Sequence, residues 1–289
     1  MSVAPRAGNG KITVPDLLSR KFNSGSGSPE TKKKITCLTA YDYPTARLLD
    51  EAGVDVLLVG DSLGMVVLGY DSTLPVTLDE ILHHVRAVRR GTKRALLVAD
   101  MPYGSFHVSI DESIHNAIRL IKEGGAEAVK IEGGERRLEL ISRLVEAEIP
   151  VMGHVGLTPQ SINALGGFHV QGKTIDAAKQ LERDAKAVEA AGAFSVVLES
   201  VPRELAARIT EKLRIPTIGI GAGPDCDGQV LVMHDMLGLY ESCAPRFAKP
   251  FAHLWNDAAA AASAYVREVK EHAFPAPEHC YAESRRAPR

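Results

Sequence analysis

Residues 95–133, ALLVADMPYGSFHVSIDESIHNAIRLIKEGGAEAVKIEG, decide the fold. ALLVAD (95–100) and EAVKIEG (127–133) are short apolar runs without the polar alternation of a half-wet strand, so both read as strands buried on two faces. The stretch between them, SIDESIHNAIRLIKEGGA (109–126), repeats its apolar residues at helical spacing. Ser109 and Glu112 open it with the S/T-x-x-E capping pattern. A strand, a helix and a second strand in this order form a crossover unit whose strands run parallel.

The same pattern extends in both directions. ITCLTA (35–40), VDVLLVG (54–60), PVMGHVG (150–156), FSVVLES (194–200), PTIGIG (216–221) and QVLVMHD (229–235) raise the strand count to eight. Amphipathic stretches lie between strands, as in LDEILHHVRAVRR (78–90), which Thr77 and Glu80 cap in the same way. Eight such units close into an α/β fold, the (β/α)8 TIM barrel, for which about 250 residues is typical. The 289 residues fit that size. A doubly wound open sheet is the competing architecture, but no Gly-rich dinucleotide fingerprint follows the first strand.

Three segments are expected along the chain. Residues 1–34 form an N-terminal extension that ends in the linker NSGSGSPETKKK (23–34), and 35–272 form a single catalytic barrel with a C-terminal helix in the Ala-rich stretch 252–270. Residues 273–289 form a tail in which 281–289 carry three arginines.

Composition narrows the function. Thirty-four Lys and Arg against 36 Asp and Glu leave a net charge of −2, without the basic excess that a nucleic-acid partner requires. No run of 18 apolar residues marks a membrane span and no apolar leader marks secretion, so a cytoplasmic location is expected. The cysteines at 37, 226, 243 and 280 are far apart, form no CxxC pair and read as reduced thiols.

Chemistry concentrates at strand C-termini, the face on which barrel enzymes build their sites. Asp61 follows strand two, Asp100 ends strand three, Lys130 and Glu132 lie on strand four, His154 on strand five and Glu199 on strand six. Several buried carboxylates in one ring repel unless a cation sits among them. Asp61, Asp100 and Glu132 offer only oxygen, which suits a hard cation such as magnesium. Lys130 and Glu132 are two apart and share a face. Lys130 reads equally as half of an interior ion pair, as a holder of a substrate anion, or as a Schiff-base nucleophile. Glu199 ends an apolar strand, a setting that desolvates a carboxylate, raises its pKa and suits it to take a proton. His154, flanked by glycines, reads as a substrate contact or a turn cap; His234 is a weaker candidate. GIGAG (219–223) allows close backbone approach, but strand-end glycines alone do not establish a phosphate grip. The long connections 62–76 and 157–173 are lid or wall candidates.

TAYD (39–42), VGDSLGMVVLGYDSTLPVT (59–77), ADMPYGS (99–105), VKIEGG (129–134), GHVGLTPQS (153–161), ESVP (199–202), GIGAG (219–223) and DGQVLVMHD (227–235) together resemble the ketopantoate hydroxymethyltransferase family, over about residues 12–280. The resemblance implies a (β/α)8 barrel that transfers a hydroxymethyl group from 5,10-methylenetetrahydrofolate to 3-methyl-2-oxobutanoate through a magnesium-stabilised enolate, giving 2-dehydropantoate for pantothenate and coenzyme A biosynthesis. It implies one Mg2+ per subunit held by Asp61 and Asp100, with Glu132 completing the shell. It implies that Asp61, Ser62, Asp100 and Lys130 contact the oxoacid, that Glu199 is the proton acceptor, and that the chains assemble as a homodecamer. Two alternatives accompany it: a metal-dependent 2-oxoacid lyase or mutase of the phosphoenolpyruvate mutase and isocitrate lyase type, and a non-catalytic oxoacid-binding barrel.

Overall fold

A computed structural model describes residues 10–22, 33–240 and 245–281. Cys243 and most of the 23–34 linker lie outside the described residues. Eight strands, β1 (Ile35–Thr39), β2 (Val56–Val59), β3 (Leu96–Asp100), β4 (Ala128–Glu132), β5 (Val151–Gly156), β6 (Ser195–Glu199), β7 (Thr217–Ile220) and β8 (Gly228–Leu231), pair in sequence order. β8 returns to β1, all neighbours are parallel, and the sheet closes into a barrel. Strands β2, β3 and β4 are buried at every residue, as expected for apolar runs with helices outside and a filled barrel inside.

The helices are α1 (Val14–Phe22), α2 (Tyr43–Glu51), α3 (Leu63–Val66), α4 (Leu78–Gly91), α5 (Ile110–Lys122), α6 (Leu138–Glu146), α7 (Ile162–Leu165), α8 (Ile175–Ala190), α9 (Arg203–Lys212), α10 (Met233–Leu237) and α11 (Leu254–Lys270). Thr77 builds the complete capping box with Glu80. Ser109 accepts the Glu112 N–H at 3.2 Å, half of the same device. Residues 10–233 belong to one compact unit that contains the barrel, and α11 lies in a second unit beginning at His234.

Three features depart from a simple alternation of strands and helices. β7 and β8 are joined by residues 221–227 with no helix between them. This loop folds back on β7: a Cβ at Gly219 would stand 3.0 Å from Cys226 Sγ, and Gln229 Nε2 donates to Gly223 O at 2.9 Å. Gly219 of GIGAG therefore leaves room for the returning loop. β8 stops at Leu231, and the Met233 N–H donates to Thr39 Oγ1 at 2.9 Å, so His234 sits on α10 rather than on a strand. The third feature is α1, whose Leu17 is 1% exposed. It joins one core cluster with Ile35, Cys37, Val56, Leu58, Leu96 and Val98. The N-terminal segment thus contributes to the barrel core.

That cluster contains the strand residues that point inward. On β3 these are Leu96 and Val98, on β4 Ala128, on β5 Met152 and on β6 Val197. Side chains alternate faces along a strand, so the next inward positions toward the C-terminal mouth are 100, 130, 132, 154 and 199. The same periodicity that fills the interior delivers Asp100, Lys130, Glu132, His154 and Glu199 to one cavity end.

Candidate active site

Register decides which of these groups meet. Asp100 lies opposite Lys130 across the β3–β4 ladder, and Glu132 lies opposite His154 across β4–β5. Lys130 Nζ is 2.8 Å from Asp100 Oδ1, 3.9 Å from Glu132 Oε1 and 3.2 Å from His154 Nδ1. The second ring nitrogen of His154, Nε2, is 3.2 Å from Glu199 Oε2. Asp61 stands just past β2, where the turn into α3 directs its backbone N–H to Asp100 Oδ2 at 3.2 Å. Ser62 Oγ and the buried Tyr41 hydroxyl are hydrogen-bonded at 2.8 Å.

Asp61, Asp100, Lys130, Glu132 and His154 are all buried, none more than 4% exposed. The Glu199 side chain is 15% exposed, less enclosed than its apolar strand suggested. Its backbone is tightly held. The Leu157 N–H donates to Glu199 O at 2.9 Å, and Ser200 adopts φ 49 while donating to Ile220 O at 2.9 Å. A non-glycine residue in that region stores strain, and here it directly follows a candidate base.

Burial, then the neighbouring Asp100 and Glu132 charges, drive the Asp61 carboxyl well above the ordinary carboxylate range. Burial also raises Asp100, against the pull of Lys130. Glu132 moves the other way: burial pushes it up, but His154 and Lys130 outweigh that and hold it low. Burial and the Lys130 charge oppose protonation of His154, yet Glu132 and Glu199 on its two sides push it up to about 9. Burial alone would lower Lys130; Asp100, Glu132 and Asp61 more than offset it and raise it. A nucleophilic lysine needs a depressed pKa, whereas these carboxylates favour the charged ammonium.

Among the described residues no three His, Cys, Asp or Glu side chains are gathered in metal-ligand geometry. The donor chemistry still fits a hard divalent cation, which takes one or two protein carboxylates and completes its shell with water and substrate oxygens. Asp61 and Asp100 are adjacent, bear only oxygen and repel one another. Glu132 Oε1 makes no close hydrogen bond among the described residues, its nearest cationic neighbours being His154 Nδ1 at 3.4 Å and Lys130 Nζ at 3.9 Å. A cation would ease the repulsion between Asp61 and Asp100 and give Glu132 Oε1 a further partner.

The sequence reading missed Gln160. Its backbone N–H donates to Glu132 Oε2 at 3.0 Å, and its side-chain Nε2 donates to Asp61 Oδ2 at 2.9 Å and to Met101 O at 3.0 Å. A neutral amide in an irregular turn carries neither charge nor periodicity to mark it. Membership of the GHVGLTPQS segment was the available signal.

A model of the ketopantoate hydroxymethyltransferase family matches residues 22–277. The chain belongs to this family. It is 59% identical over 271 residues to the 3-methyl-2-oxobutanoate hydroxymethyltransferase of Carboxydothermus hydrogenoformans, covering 94% of this chain and 95% of that protein. It is 54% identical over 281 residues to the protein of the same name from Koribacter versatilis, covering 97% and 92%. Ketopantoate hydroxymethyltransferases are enzymes of the transferase class, and this chain is one of them.

The barrel also resembles a solved 2,3-dimethylmalate lyase of the PEP mutase/isocitrate lyase superfamily, with TM-score 0.57, 17% identity and coverage of 94% and 88%. A phosphonopyruvate hydrolase complex with oxalate and Mg++ matches with TM-score 0.56, 16% identity and coverage of 93% of each chain. At such identity the likeness concerns the fold. The lyase and mutase alternative shares the barrel architecture, whereas the family match belongs to the hydroxymethyltransferases.

Proposed function

We propose that this hydroxymethyltransferase takes 3-methyl-2-oxobutanoate as acceptor and 5,10-methylenetetrahydrofolate as one-carbon donor, with one magnesium ion per subunit, and forms 2-dehydropantoate (ketopantoate) for pantothenate and coenzyme A synthesis. The observation that carries the reading is the juxtaposition, at one barrel mouth, of a buried oxygen-only carboxylate set with the less buried Glu199 beside His154. Asp61 and Asp100 would hold magnesium, and Glu132 would complete its shell. Bound there, magnesium supplies a Lewis acid for the oxoacid carbonyl and for the charge that develops on it.

The chain's own groups divide the remaining work. Lys130, held as an ammonium by Asp100, provides fixed positive charge for the substrate carboxylate or the developing oxyanion. Asp61, Ser62, Asp100 and Lys130 face the oxoacid, Ser62 being oriented by Tyr41. Glu199 Oε2 accepts the C3 proton. His154, with Nε2 3.2 Å from that oxygen, orients the carboxylate and would contact the oxoacid bound beside it. C3 then bonds the methylene carbon as that carbon's bond to one folate nitrogen breaks, water displaces the other nitrogen and supplies the hydroxyl, and the two nitrogens of the released tetrahydrofolate take the proton held by Glu199 and one proton of that water.

The test is mass-detected formation of ketopantoate from both substrates and magnesium. Product that forms without the folate, or none with every component present, overturns the reading. A cytoplasmic homodecamer belongs to the same proposal and rests on the family resemblance; light scattering behind a sizing column reads the subunit number.

A further inference from the structure

Gln160 touches three strand ends at once. It lies in the turn after β5, Asp61 follows β2, Met101 follows β3, and Glu132 ends β4. Its side chain presents two N–H bonds, and Nε2 lies within hydrogen-bond distance of two groups, a carboxylate oxygen and a carbonyl oxygen, that can only accept. The orientation of the amide is therefore fixed by its partners: the nitrogen faces Asp61 and Met101, and the oxygen cannot take its place. Oε1 is left buried with no hydrogen bond among the described residues, in a side chain only 5% exposed. A buried amide oxygen without a donor is costly, which implies that a donor arrives with something the site binds.

The chemistry around Gln160 limits what that donor is. Oxygen-only carboxylates select a hard divalent cation that keeps part of its hydration shell, and each retained water carries O–H donors that need acceptors. We infer that Gln160 is a positioning residue for the cation site: it fixes the Asp61 carboxylate, clamps Glu132 through its backbone, and offers Oε1 as acceptor to a water of the bound ion. This rests on the reading above that the cation sits at Asp61 and Asp100. It explains why an amide occupies the position. A carboxylate there could donate to neither Asp61 nor Met101 and would add a fourth negative charge, and an apolar side chain would leave both acceptors buried and unpaired.

Manganese tests the inference without turnover, because the free Mn2+ electron paramagnetic resonance signal reports binding to the full chain directly. Gln160→Leu removes the donors and the acceptor at similar volume, and Gln160→Met does so with an unbranched chain should the leucine variant fail to fold, as judged by circular dichroism. Loss of an outer-shell partner weakens metal affinity about 10- to 100-fold. That loss is expected in either folded variant, with a matching rise in the Mn2+ concentration needed for half-activation and with most of kcat restored at saturating Mn2+. A folded variant that binds Mn2+ with wild-type affinity overturns the role of Gln160. Failure of the wild-type protein to take up Mn2+ overturns the cation reading itself, and this inference with it.

Discussion

His154 Nε2 lies 3.2 Å from Glu199 Oε2 while Nδ1 of the same ring lies 3.4 Å from Glu132 Oε1, so one buried imidazole links the slightly exposed carboxylate of the mouth to a fully buried one. Each ring nitrogen faces a different glutamate. The imidazole is thereby fixed in orientation, and it fixes Glu199 in turn.

Glu199→Gln keeps the side-chain shape near His154 but removes the proton acceptor. A positioned general base contributes about 10²- to 10⁴-fold. Incorporation of deuterium at C3 of 3-methyl-2-oxobutanoate in deuterated water, followed by mass spectrometry, is predicted to slow by that factor while oxoacid binding changes little. Wild-type exchange by the variant removes Glu199 as the base.

Lys130 is a buried ammonium 2.8 Å from Asp100, and the surrounding carboxylates raise its pKa. Borohydride added with the oxoacid is therefore predicted to leave the protein mass unchanged, since a protonated amine forms no imine. A reduced adduct at Lys130 would contradict this. Lys130→Met strands Asp100, and removing one partner of a buried pair costs about 3–5 kcal/mol. Chemical denaturation measures that loss, and a variant as stable as wild type sinks the prediction.

Gly156 has φ 97, and a Cβ there would stand 2.3 Å from Glu199 O. Gly156→Ala is predicted to cost about 1–3 kcal/mol through the disfavoured backbone alone. The clash should also displace the Glu199 backbone, so kcat falls more than KM rises. Unchanged kcat in a folded variant would show that the base tolerates this shift.

Arg20 of α1 lies 2.8 Å from Asp55 Oδ1, and the Thr36 N–H and hydroxyl donate to Asp55 Oδ2 at 3.0 and 2.9 Å. Burial pushes the Asp55 carboxyl up, but the Arg20 and Thr36 hydrogen bonds prevail and hold it below its ordinary value. A carboxyl depressed on folding contributes stability that is complete above its unfolded pKa, about 3.9, and is lost as pH falls through the folded value. Arg20→Ala is thus predicted to lower stability at neutral pH and to converge with wild type in acid. Thermal midpoints measured from pH 7 to pH 2 read the difference, and a gap that persists at the acid end would falsify the assignment.

Much of this protein is legible in its sequence because the controlling signals are local. Apolar runs separated by amphipathic stretches marked eight strands, and their strand-end positions gathered Asp61, Asp100, Lys130, Glu132, His154 and Glu199 at one barrel mouth. The residue types themselves marked an acidic, cation-seeking mouth. Other features follow only from closure of the barrel. Register sets Lys130 nearer to Asp100 than to Glu132, at 2.8 against 3.9 Å. Docking against core residues makes α1 part of the barrel, although VPDLLSRKF is too short to declare a partner. Gln160 and Asp61 are 99 residues apart, and no local pattern encodes their hydrogen bond. Periodicity fixes the face on which a side chain lies; which distant side chain it meets is set when strands far apart in sequence are brought into one ring.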